Sequence, residues 1–155
     1  MSYELRALIA SKRILETVAG KLPGALPVEL AQGLWLLPLK GNVSIEAVAK
    51  PPPFEKLQVP PFLAQAVSEA SVAGQIAYVE ADYRPGRDYQ AAVLWDKGRV
   101  VLGPHEETTP WDPREANMKE RPVNSVLHAM DVEALDYGDE WDAVALARHG
   151  RTEDW

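Results

Sequence analysis

The 155-residue chain contains no cysteine. That excludes a disulfide framework, a thiolate metal site and a cysteine nucleophile, and it suits a reducing compartment. Histidine is scarce, with three in all, and no two stand at the helical spacing that sets a pair of imidazoles toward one metal. Long apolar runs are missing as well. No window reaches the ~18 residues of a membrane span. The opening "MSYELRALIASKRILE" is broken by Glu4, Arg6, Lys12, Arg13 and Glu16, unlike a signal peptide. The expectation is a cytoplasmic protein with no membrane association. Basic residues are the minority, 16 against 23 acids, for a net charge of −7. A nucleic-acid binder wants a basic face, so that class is disfavoured.

What is present fits one soluble globular domain over residues 1–155: apolar residues make up 46 % and charged residues 25 %, at a length that buries a real core. "YELRALI" (3–9) alternates, with Tyr3, Leu5, Ala7 and Ile9 on one side, as a half-buried strand does. Ser11 can cap a short helix carrying Ile14, Leu15, Val18 and Ala19 on one face, with Gly20 placed for a left-handed cap. Pro23, Gly24 and Pro27 mark a connection. "GLWLLPL" (33–39) reads as a strand buried on both faces, and "SIEAVA" (44–49) as another short strand. Pro51, Pro52 and Pro53 impose an extended spacer.

Pro61 opens a helix with Phe62, Leu63, Ala66, Val67 and Ala70 in one stripe, stopped at Gly74. Three strands follow: "QIAYVEADY" (75–83), "YQAAVLW" (89–95) and "RVVLG" (99–103). The last two are joined across Asp96-Lys97-Gly98, a short hairpin in which Gly98 takes positive φ. Residues 104–120, with Pro104, Pro110 and Pro113, read as an exposed loop. Pro122 opens a helix with Val123, Val126, Leu127 and Met130 on its inner face. "DEWDAVALARH" (139–149) allows a helix or a short strand. The sum is an α+β domain: an antiparallel sheet with helices packed mainly on one face.

Several features carry potential chemistry. Glu80 and Asp82 stand two apart on a strand and so share a face, where paired carboxylates can do acid–base work. Tyr78 and Arg84 flank them. "HEE" (105–107) is extended, so neighbouring side chains point opposite ways and do not chelate one ion. No P-loop, Gly-rich dinucleotide fingerprint or Gly-x-Ser-x-Gly elbow occurs. Neither a cofactor nor a metal is expected.

Arg148-His149-Gly150-Arg151-Thr152 resembles the signature of the histidine phosphatases, in which an apolar strand runs into Arg-His-Gly-x-Thr and the histidine accepts a phosphoryl group. In that family the motif stands at the start of the chain, and a second arginine, an acid and a second histidine come after it. Here three residues follow Thr152, so the match reads as accidental. The alternative expected for Arg148 and His149 is pairing with Asp142 or Glu153. "AYVEADY", "AAVLWDKGRVVLGP" and "DEWDAVALARHGRTEDW" together resemble a set of bacterial proteins without an established activity.

The charge is concentrated in one place. Residues 131–155 hold eight acids and two bases, a net −6 of the chain's −7. Trp111, Trp141 and Trp155 lie in or near this segment. Acids around aromatic anchors suit recognition of a basic protein. The expectation is a non-enzymatic protein-binding domain, of the inhibitor or immunity type, acting through Trp111, Asp139, Glu140, Trp141, Asp142, Glu153, Asp154 and Trp155. The alternative is a small hydrolase using Glu80 and Asp82, or Arg148 and His149. For Trp155 the rival expectation is that it folds back and fastens the tail.

Overall fold

The computed structural model describes residues 2–22, 24–40, 61–85, 87–109, 121–136 and 138–155. Strand β1 (Tyr3–Ala10) lies inside the sheet, with β3 (Trp35–Pro38) on one side and β4 (Ile76–Arg84) on the other, both antiparallel to it. A two-residue strand, β2 (Val28–Glu29), pairs outside β3. The meander continues from β4 through β5 (Arg87–Asp96) to β6 (Arg99–Thr109). The order across the six-stranded sheet is β2-β3-β1-β4-β5-β6. Helices α1 (Lys12–Ala19), α2 (Pro61–Ala70), α3 (Pro122–Ala129) and α4 (Glu140–Ala143) flank it. The class is α+β.

The helices divide between both faces of the sheet rather than lying mainly on one. Leu5, Ala7 and Ile9 of β1 and Ala77, Val79 and Ala81 of β4 form one core with Val123, Val126 and Leu127 of α3 and Trp141 of α4. The alternate residues Leu8, Ala10, Ile76 and Tyr78 form a second core with Ile14, Leu15 and Val18 of α1 and Leu63 and Val67 of α2. The physical reason lies in β1. Its second face reads Glu4, Arg6, Leu8, Ala10, polar for half its length and apolar for the rest. Only the apolar half is covered by α1 and α2, and the strand is not half-buried but buried on both sides there.

Other elements depart locally from expectation. Residues 104–109, expected to be loop, continue β6 to Thr109. Pro104 is tolerated because β6 has a single neighbour in the sheet and Pro104 falls in the register shift between the Leu94–Leu102 and Ala92–His105 pairs, where it faces no residue of β5. The strand expected over 44–49, the proline spacer 51–53 and the rest of the 104–120 loop, including Trp111, lie outside the described residues. Gly20 is right-handed at φ −60°, so α1 ends without a left-handed cap. Phe62 is exposed on the rim of α2. The Lys97-Gly98 turn takes positive φ at both positions, and its backbone is held by Ser71. Of the two forms open to 139–149, the helix is found: α4 is one turn long, Ala145 is left-handed, and Leu146–Arg148 forms a 3-10 turn. Among the described residues no helix is long and apolar enough to cross a membrane.

Candidate functional site

The C-terminal segment is held to the start of β1. β3 pairs only with Ala7–Ala10, so the Tyr3–Arg6 half of β1 has a vacant backbone edge on that side. The last residues fill it. Glu4 N donates to Gly150 O at 2.9 Å, and Arg6 N donates to Thr152 Oγ1 at 3.0 Å. Glu4 and Arg151 form a parallel bridge. Pairing an edge in this way removes a template for unwanted strand addition. Trp155 then folds back: Lys40 Nζ donates to its backbone oxygen at 2.6 Å. His149 meets its ring edge-on at 4.9 Å, and the Arg148 guanidinium lies 5.6 Å from its centroid. Arg148 also donates to Glu29 O at 3.1 Å. Arg148 and His149 therefore pack on tryptophan, not on Asp142 or Glu153. Trp155 borders a pocket of about 300 Å³ together with Pro27, Pro38 and Lys40.

The acids of this segment separate into two groups. Asp139 and Glu140 are buried, and so is Trp141. Asp139 is the N-cap of α4. Its side chain accepts from Asp142 N at 3.0 Å, and the Asp142 carboxylate accepts from Asp139 N, a reciprocal capping box. Asn124 of α3 donates to Asp139 at 2.8 Å and accepts from Trp141 N at 2.9 Å, tying the two helices together. Glu140 stands 3.4 Å from His128 Nδ1. Trp141 packs on Tyr3 and Tyr83, with centroids 5.3 and 6.0 Å away. A partner cannot reach these three without unpacking the core. Asp142, Glu153 and Asp154 are exposed, and so is Glu4 beside the tail.

On the same core a buried ion pair joins α3 to the sheet: Arg121 to Asp88 at 2.8 Å. Gln90 accepts from Val123 N at 3.1 Å, satisfying a free donor in the first turn of α3, and donates to the Tyr83 hydroxyl. Burial pushes the Tyr83 phenol up to about 12, against the opposing pull of the Gln90 hydrogen bond and the Arg121 charge. Tyr3 is pushed up more strongly by burial, helped by neighbouring Tyr83, and its hydroxyl donates to Leu146 O.

The Glu80 and Asp82 carboxylates share a face but not an environment. Glu80 is buried, and it accepts from the Tyr78 hydroxyl and from the Tyr89 hydroxyl at 3.5 Å. Arg6 stands opposite it in the β1–β4 register. Tyr78 is held far above the ordinary phenol range, first by burial and then by the Glu80 charge, with the Arg6 charge opposing. Asp82 faces outward and pairs with Arg84 at 2.9 Å. The expected carboxylate pair is thus one buried, phenol-bonded acid and one solvated ion pair. Among the described residues no group of three His, Asp or Glu is placed to hold a metal.

Sequence reasoning missed the fasteners: Gly150, Thr152, Lys40, and the Arg121–Asp88 pair. Each acts across more than 30 positions, and no local pattern announces such a contact. No known family, curated protein or solved structure matches this chain.

Proposed function

We propose that the protein is a non-enzymatic protein-binding domain that engages a basic partner through its acidic C-terminal face, in the manner of an inhibitor or immunity-type protein. One observation carries the reading. The turn bearing Glu153 and Asp154 is not a loose tail but is bonded on both sides, through Thr152 to β1 and through Trp155 to Lys40. A held turn loses little conformational entropy on binding, so its exposed charges are effective in recognition. Acidic groups placed this way speed encounter with a cationic surface and set its register.

The experiment uses Glu153→Lys/Asp154→Lys. Both residues are exposed, and an unchanged denaturation midpoint checks that the fold tolerates the change. A basic protein captured from native lysate by the wild-type chain should associate more slowly with the variant, by roughly tenfold at low salt, and the difference should shrink as salt rises. Association that ignores both salt and charge reversal would remove the reading. Reversal at Asp139 or Glu140 is unsuitable, since both are buried and the first caps α4.

A further inference from the structure

Residues 146–155 bond to a part of the fold far from where they leave it. The Tyr3 hydroxyl donates to Leu146 O at 2.7 Å, Glu4 N to Gly150 O, Arg6 N to Thr152 Oγ1 and Lys40 Nζ to Trp155 O. Leu146 and Thr152 are buried. The groups that hold the segment thus stand 115 to 146 positions upstream. They recognise its backbone, its Thr152 hydroxyl and its apolar side chains, and an identical segment from a second copy offers the same. No cysteine ties the segment down.

The segment departs at Ala145, whose backbone is left-handed, with φ 58° and ψ 42°. Glycine takes that region freely, whereas an alanine β-carbon crowds the following carbonyl and has no polar group to offset the crowding. Ala145, Ala147 and Arg148 are exposed. One turn bond spans this hinge, Arg148 N to Ala145 O at 3.1 Å. On opening, both groups reach water, so its loss costs little. A strained hinge ahead of a separable segment favours exchange of that segment between copies, because every other contact is remade and only the hinge changes.

We propose that residues 146–155 swap between two copies of this chain, each segment closing the β1 edge of the other copy, with Ala145 extended and close to the two-fold axis. Monomer and swapped dimer share their contacts. The balance is set by hinge strain against the entropy of association, so the dimer is concentration-dependent. Glu153 and Asp154 remain on a held turn in either form, and the exchange does not rest on the basic-partner reading.

Because the chain has no cysteine, two introduced thiols report the exchange directly. Glu4 and Arg151 are exposed bridge partners, and strand neighbours of this kind lie within disulfide range. Full-length Glu4→Cys and Arg151→Cys chains are mixed in equal amounts, loosened in mild denaturant, returned to native buffer at millimolar concentration and oxidised. Swapping should join unlike chains in clear excess over like ones, with the linkage between positions 4 and 151 found by peptide mass spectrometry. Chance collision would give like and unlike pairs in equal share. Sedimentation of the wild type should show dimer growing with concentration. Ala145→Gly, which removes the strain, should raise the dimer dissociation constant by roughly tenfold, and Ala145→Val, which adds to it, should lower the constant. Position 145 is exposed, so the glycine arm holds even if the valine variant proves unstable. A wild type that is monomeric throughout, unlike pairs at no more than the chance share, or a dimer indifferent to both changes at Ala145 would overturn the proposal.

Discussion

Buried phenols are the residues through which this protein senses alkali. Tyr3, Tyr78 and Tyr83 are each raised above the ordinary value, chiefly by burial. A raised folded-state value means the unfolded chain gives up its proton first. The stabilisation is complete below the unfolded phenol value of ~10, and it is lost as pH climbs from there through the folded values, about 12 for Tyr83. Phenolate absorbance from these three should therefore be withheld past the normal range and appear together with unfolding. If all five tyrosines ionise together in the still-folded protein, the burial account fails. The Arg121–Asp88 pair works at the same scale. Its two charges are nearly shielded from water, so each depends on the other, and what the pair contributes is the placement of α3 more than net stability.

Among the elements, α4 shows how much one cap can carry. A helix of one turn has almost no propensity of its own, and this one exists because Asp139 closes the capping box and Asn124 docks it on α3. Asp139→Ala should cost about 1–2 kcal/mol, read as a lower denaturation midpoint, with Asp139→Asn recovering part of it. No loss in the alanine variant would mean that Trp141 packing alone fixes the turn. These local devices were the legible part of the sequence. The meander, the Lys97-Gly98 hairpin and the Pro61 and Pro122 helix starts follow from alternation and turn chemistry that act within ten residues. The second core was not legible, because Glu4 and Arg6 mask the apolar half of the same β1 face. Nor was the extension of β6 past Pro104, since the tolerance of proline there depends on the strand having a single neighbour and on a register shift at that point. In the candidate site, the exposed acids Asp142, Glu153 and Asp154 were readable from composition. The burial of Asp139, Glu140 and Trp141 was not, because it is set by α3 and Tyr3.

At the scale of the molecule, the described residues form one sheet serving two cores. Leu15 lies in one and Leu127 in the other, both fully buried. Leu15→Ala and Leu127→Ala should each cost ~2–5 kcal/mol. Because β1, β4 and β5 contribute to both cores, each variant should lower the midpoint of one shared transition. A separate early step in either would show that the two faces unfold independently. The bridge between Glu4 and Arg151 has a consequence in time. β1 is synthesised before the other strands of the described sheet, yet the backbone groups that complete its vacant edge are nearly 150 positions away. A nascent chain that has not reached Thr152 already holds every strand of the sheet but lacks this closure. The last contact of such a high-separation topology forms late and slowly, so translation has to run almost to the final described residue before β1 is fully paired.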